Sequence, residues 1–239
     1  MKYSKKTKPF RLGILGGMGP LAGVHLQRLI IEATPAQGDQ DHIQVVCFTN
    51  PKIPDRTASL ERNSGSQYVR AMGESISVLE AAQVDVVAIP CNTAHARLAL
   101  LERECPGVRF LNMVSLAHEV LSQRVQGSSS KVLLLATNGT LSERVYSANA
   151  HPSISWIYPE VSVQEKVMDL IYTIKAGGVT SVVESQFIHL LTSCNVYKPD
   201  YIVLGCTELS LLAYLSHTSE ASFIDPLAIM AKYIVDLAR

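Results

Sequence analysis

Three short runs in this chain are apolar on successive residues instead of alternate ones: VVAI at 86–89, VLLL at 132–135 and YIVL at 201–204. A strand with one wet face alternates polar and apolar side chains. A strand covered by helices on both faces does not need to, and such continuous runs belong to parallel sheets. Between these runs lie longer segments with helical spacing, so the chain reads as strand, helix, strand in repeated succession, the pattern of a parallel α/β fold. Strands are expected at 11–15, 43–49, 84–89, 109–111, 131–136, 155–158 and 201–204. Helices are expected at 22–33, 66–82, 94–104, 116–126, 141–150, 164–176, 182–192 and 228–237. Residues 51–64, rich in Pro, Asp, Arg and Asn, read as a functional loop, and 127–130 as a turn between lobes.

The two halves echo each other. In the first, one strand ends in Gly16-Gly17-Met18-Gly19-Pro20 and a later one in Pro90-Cys91-Asn92-Thr93. In the second, one ends in Ala136-Thr137-Asn138-Gly139-Thr140 and a later one in Gly205-Cys206-Thr207-Glu208, again about seventy residues on. Two similar α/β lobes follow, the first over 1–115 and rejoined by a C-terminal helix in 222–239, the second over 116–221. Each puts a cysteine at the C-terminal end of a strand, the edge at which open α/β sheets bind ligands.

Composition narrows the function. The 21 basic residues balance 21 acidic ones, which argues against a general polyanion surface and so against a nucleic-acid partner. An apolar fraction of 47% against 18% charged residues excludes disorder. No stretch approaches the roughly 18–20 apolar residues of a membrane span. The basic start (Lys2, Lys5, Lys6, Lys8) reads as a tail and not a signal peptide, because Gly13, Gly16, Gly17, Gly19 and Pro20 interrupt the apolar run behind it. Cys47, Cys91, Cys105, Cys194 and Cys206 are odd in number and widely spaced, with neither a disulfide framework nor zinc spacing. A reducing cytoplasm is the expected compartment.

Cys47 and Cys194 read as core fillers, and Cys105 as a packing residue near a helix end. Cys91 and Cys206 differ, because Asn92-Thr93 and Thr207-Glu208 follow them directly. A helix N-terminus there would lower the thiol pKa and favour the thiolate. His95, one turn past Cys91, is expected to cap, pack or tune that thiol instead of acting as its base. Gly17-Met18-Gly19-Pro20-Leu21-Ala22 fits the dinucleotide fingerprint G-x-G-x-x-A. The next strand, however, ends at Thr49-Asn50, without the acidic residue that would hold a ribose, and the same glycines can instead present amides to a carboxylate. In Asn50-Pro51-Lys52-Ile53-Pro54-Asp55-Arg56-Thr57 two prolines stiffen the backbone, and Arg56 offers a planar fork to a carboxylate.

At these motifs the chain resembles the cofactor-independent aspartate/glutamate racemase family, and most of all its aspartate racemases. The resemblance rests on LGILGGMGPLA (12–22), NPKIPDRT (50–57), PCNTAHA (90–96), LLATNGT (134–140) and GCTELS (205–210). Shorter matches are IYTIKAG (171–177) and IDPL (224–227). It implies two similar lobes, each a parallel β-sheet flanked by helices, with the active site in the cleft between them. It implies Cys91 and Cys206 as the catalytic pair, and a pocket lined by Met18, Asn50, Arg56, Asn92, Thr93, Thr137, Thr140, Thr207 and Glu208. It also implies a homodimer acting on a small acidic amino acid with no pyridoxal phosphate, other cofactor or metal.

The implied reaction is the interconversion of L- and D-aspartate by two-base proton transfer. Glutamate or a broader set of amino acids are alternatives within the family, and a dinucleotide-dependent oxidoreductase is the alternative outside it. One departure bears on the substrate. Aspartate racemases often carry a helix-opening Gln-Lys pair whose lysine binds the distal carboxylate; here the pair is Gln164-Glu165, and the lysine comes at Lys166. One residue turns a helical side chain by about 100°. Either the helix start is realigned so that Lys166 binds the carboxylate, or Arg56 binds it, or the substrate is not aspartate.

Overall fold

The computed structural model describes residues 8–125, 129–148 and 151–239. Lys2, Lys5, Lys6 and the first half of the expected turn at 127–130 lie outside them, as do the last residues of the helices expected at 116–126 and 141–150. In the first lobe, β1 (Arg11–Gly16), α1 (Pro20–Ala33), β2 (Gln44–Thr49), α2 (Arg56–Asn63), α3 (Ser66–Ala81), β3 (Val86–Ala88), α4 (Leu98–Glu104) and α5 (Met113–Arg124) follow in order. The strands form a parallel sheet in the order β2-β1-β3. Then come β4 (Ser130–Ala136), α6 (Asn138–Ser142), β5 (Ile154–Ile157), α7 (Val161–Gly177), α8 (Ser181–Cys194), β6 (Tyr201–Gly205), α9 (Thr207–Ser210), β7 (Ser222–Ile224) and α10 (Pro226–Leu237). Their sheet is parallel in the order β5-β4-β6-β7. Among the described residues no helix is long and apolar enough to cross a membrane.

The continuous apolar runs are the buried centres of both sheets. Leu12, Ile14 and Leu15 of β1, Val86 and Val87 of β3, and Leu133 and Leu135 of β4 are all but inaccessible. In β4, Leu133 and Leu135 face the cluster built by α7 and α8, while Val132 and Leu134 face the other side with α5 residues Val114, Ala117 and Leu121. That two-sided cover is why the run has no polar alternation. Leu227, Met230, Ala231 and Ile234 recur on one face of α10 and join Leu12, Ile14, Leu26 and Ile30 in a single cluster. Through it the C-terminal helix packs on α1 and α5.

Several local expectations change. The segment 51–64 is mostly helix: Asp55 accepts from the Ala58 amide at 2.9 Å and caps α2, so Arg56 opens a helix instead of standing in a loop. The helix expected at 94–104 is split into a 3-10 turn, Thr93–Arg97, and α4. The helix expected from 141 begins at Asn138, is capped by Thr137 and lasts five residues. The strand expected at 109–111 is reduced to one parallel bridge between Phe110 and Val87, since Pro106-Gly107 before it and the Asn112 helix cap after it leave no room for more. The three-residue edge strand β7, too short for any periodicity to show, pairs with β6.

Candidate active site

The two glycine- and threonine-rich strand ends and the two cysteines converge. Cys91, three residues beyond β3, and Cys206, immediately after β6, line one cleft between the lobes, about 370 Å³ with its open mouth included. Met18, Arg56, Asn92, Thr93, Thr137, Thr207 and Glu208 line it with them. Of the other expected pocket residues, Asn50 and Thr140 stand behind this wall and Lys166 lies elsewhere.

Asn50 shapes the wall through its backbone. Gly17 has φ +108°, and a Cβ on it would meet the Asn50 carbonyl oxygen at 2.3 Å, so the β1 loop can pass β2 only with glycine there. The amide of Gly19, at the N-cap of α1, donates to Glu208 Oε1 at 3.3 Å. The glycine motif is thus explained by close backbone approach and by a carboxylate of the second lobe, with no dinucleotide required. Thr140, wholly buried, closes a triangle of hydroxyls: Thr93 to Thr137 at 2.9 Å, Thr93 to Thr140 at 2.9 Å, and Thr137 to Thr140 at 3.1 Å. One hydroxyl comes from the first lobe and two from the second. Thr207 adds a second tie by donating to the Pro90 carbonyl, and Arg97 a third, gripping Glu143 through both terminal nitrogens at 2.6 and 3.0 Å.

The two cysteines differ in setting. The Cys206 thiol donates to Glu208 Oε2 at 3.0 Å. Burial, and then the Glu208 charge, push it well above the ordinary thiol range, against the opposing pull of Lys175. This corrects the expectation of a thiol made acidic by a helix N-terminus: α9 has only four residues, and desolvation and the nearby carboxylate outweigh its few amides. Beside Cys91 the 3-10 turn brings His95 back, and its Nδ1 donates to the Cys91 carbonyl at 2.8 Å while its Nε2 accepts the Met113 amide at 3.1 Å. Both ring nitrogens are therefore spent on the backbone, and burial lowers the imidazole pKa against the pull of its backbone hydrogen bonds. His95 thus positions the Cys91 segment through its backbone.

Arg56 is 8% exposed. Its terminal nitrogens donate to the carbonyls of Ile53, Pro54 and Met18 at 3.0–3.3 Å, leaving Nε buried with no partner among the described residues. Asn92 is similar: the buried Tyr146 hydroxyl donates to its Oδ1, and its Nδ2 is left unpartnered. Buried donors without acceptors are costly, so two of them beside one cavity mark where an anion would be welcome.

Lys166 is not in the cleft. It is exposed on α7 and lines a separate depression with Asp169, Gln186 and His189. The cleft lysine is Lys175, nine residues further along α7. Nine residues are about two and a half turns, which puts the two lysines on opposite faces. Lys175 Nζ lies 3.0 Å from Glu208 Oε1. Burial works against the ammonium, but Glu208, and then Cys206 and Cys91, outweigh it and raise the pKa. Sequence reasoning missed Lys175, although IYTIKAG contained it: Ile171 is buried and faces the cavity, and a residue four further on shares its face. Tyr146 carried no signal at all, because its role depends on a contact across 54 residues. Among the described residues no group of three or more His, Cys, Asp or Glu side chains is placed to hold a metal ion.

Comparisons with known proteins agree with the fold. The aspartate racemase of Picrophilus torridus superposes with a TM-score of 0.81 at 29% identity, covering 96% of this chain and 94% of that one. The broad specificity amino-acid racemase RacX of Bacillus subtilis is 25% identical over 231 residues, 94% of this chain and 96% of that protein. Glutamate racemase from Francisella tularensis, solved with D-glutamate, has the same fold at a TM-score of 0.68 and 15% identity, over 96% of this chain and 81% of that one. The family model for Asp/Glu/Hydantoin racemase matches residues 15–234, and the chain belongs to that family of racemases.

Proposed function

We propose that this protein inverts an acidic amino acid, aspartate first, with Cys91 and Cys206 as the two proton-transferring groups. The observation that carries the reading is that two thiols, one from each lobe, line a single small cavity with two cationic side chains. Inversion takes a proton from one face of the α-carbon and delivers one to the other. A single fixed side chain reaches only one face, so a group on each side is the economical arrangement. One must be a base and the other an acid at the moment of reaction. Cys206, donating to Glu208, is the acid of the resting site, and Cys91 is the base for the first enantiomer it meets; the roles exchange for the other.

Removing an α-proton leaves charge that spreads into the α-carboxylate. Asn92 Nδ2 is the donor assigned to it, its oxygen taken up by Tyr146, while Thr93 and Thr207 hold the wall in place through their inter-lobe bonds. Arg56 and Lys175 are assigned to the distal carboxylate. The Picrophilus relative, an aspartate racemase, supports aspartate as substrate, and RacX, a broad specificity amino-acid racemase, supports a wider range.

The test is a panel of L- and D-amino acids, assayed for inversion by chiral chromatography without added cofactor. In heavy water, early product should carry deuterium at the α-carbon while recovered substrate carries little. Cys91→Ala and Cys206→Ala should each abolish inversion. Full inversion by either variant, or rapid deuterium uptake into the substrate pool, would overturn the two-thiol reading.

A further inference from the structure

Glu208 holds three donors at once: the Cys206 thiol on Oε2, and the Lys175 ammonium and the Gly19 amide on Oε1. It is 3% exposed, whereas the Lys175 side chain is 24% exposed and reaches the cavity. A charged lysine in a mostly buried cleft needs a counter-ion, because leaving one buried charge unpaired costs more than the pair itself is worth. A dicarboxylic substrate brings such a counter-ion. A substrate with a neutral side chain does not.

Resting on the reading of this cleft as an amino-acid racemase site, we infer that Glu208 is a built-in stand-in for the substrate's distal carboxylate, neutralising Lys175 whenever the bound amino acid carries no second carboxylate. An acidic substrate must then compete with Glu208 for Lys175, with Arg56 taking the excess negative charge. A neutral substrate leaves the ion pair intact. Glu208 thereby sets how far the site discriminates between acidic and neutral amino acids, in addition to holding the Cys206 proton.

Lys175 and Glu208 suit this exchange. Glu208 cannot follow the lysine outward, because the Gly19 amide and the Cys206 thiol hold both its oxygens. Lys175 comes from α7, whose only other cavity side chains are Ile171 and Tyr172, and its flexible stem can swing between partners. The raised Lys175 pKa agrees with an ammonium that stays charged throughout.

The test compares aspartate with asparagine, its near-isosteric neutral counterpart, in wild type and Glu208→Gln. Removing the internal carboxylate frees Lys175 for aspartate and strands it when asparagine binds. The ratio of kcat/KM for aspartate to that for asparagine should rise about ten- to a hundredfold, the worth of one charge-assisted contact. The change should fall on KM, and succinate should inhibit the variant at correspondingly lower concentration. Loss of the Cys206 partner should lower kcat for both substrates by a common factor, which cancels in the ratio. An unchanged ratio and unchanged succinate inhibition would overturn the inference while leaving the racemase reading intact. Failure of the wild type to invert any member of the panel would instead remove that reading. Should Glu208→Gln not fold, Lys175→Gln tests the same exchange with the opposite sign: the ratio should fall, because Glu208 then faces the substrate carboxylate uncompensated, and a ratio that does not fall would refute the proposal.

Discussion

Replacing Gly139 by alanine should separate activity from stability. Gly139 is the second residue of α6, where the second lobe presses on the first. A Cβ there would lie 2.7 Å from Thr57 Oγ1, 3.0 Å from the Thr93 methyl group and 3.1 Å from Thr57 Cα. The Thr57 hydroxyl can rotate away, but the Cα is backbone and cannot. Ordinary contact begins at 3.4 Å, so α6 and α2 must part by about 0.3–0.7 Å. Gly139 does not have positive φ, so alanine adds no backbone strain. Overpacking costs about 1–3 kcal/mol, while exchanging glycine for alanine in a helix returns about 1 kcal/mol. The net loss of stability should therefore be about 0–2 kcal/mol. The same displacement moves Thr93 and Thr137, and misplacement on the scale of 1 Å can cost about a hundredfold in rate. We expect kcat/KM for aspartate inversion to fall about ten- to a hundredfold, with the urea midpoint shifted little. A folded variant with unchanged kcat/KM would show that this contact does not set the cleft geometry.

The hydroxyl triangle can be read by a double-mutant cycle. Thr93→Val and Thr140→Val each remove two of its three contacts, at about 1–3 kcal/mol in urea unfolding. Together they remove three contacts and not four, so the double variant should be about 0.5–1.5 kcal/mol more stable than the sum predicts, and strict additivity would count against the triangle. Burial depresses the His95 pKa below its ordinary value of about 6.5. As pH falls through that value the unfolded chain binds a proton that the folded one refuses; stability is full above it and declines below it, by up to about 1.4 kcal/mol per pH unit. His25 and His118 shift the same way, so His95→Gln should lessen the acid slope between about pH 7 and 5 without abolishing it, and an unchanged slope would contradict the assignment. Arg56→Ala should cost about 1.5–3 kcal/mol of stability as three carbonyls lose a charged donor. It should also reduce activity on aspartate more than on alanine, and equal loss on both would reduce Arg56 to a structural brace.

The primary structure determined the fold class and the two cysteines, because both are written in short-range pattern. Continuous apolar runs such as VLLL can be buried only between two helical layers, and a thiol placed where such a run ends lands on the ligand edge of a parallel sheet. The resemblance to the racemase family also named Met18, Asn92, Thr93, Thr137, Thr207 and Glu208, all of which line the cavity. What needed the tertiary structure was everything settled by helix phase or by partners distant in the chain. Lys166 and Lys175 differ in helix phase by half a turn, and which face of α7 meets the cleft is set by the helix's own packing. Cys206 is held as a thiol by a carboxylate two residues away, yet that carboxylate's direction depends on Gly19 and Lys175, 189 and 33 positions distant. Asn92 keeps an unpartnered amide because Tyr146, from the other lobe, takes its oxygen. Local pattern decides which side chains reach the cleft; their protonation and orientation come from long-range neighbours, because electrostatics and hydrogen bonding act through space and not along the chain.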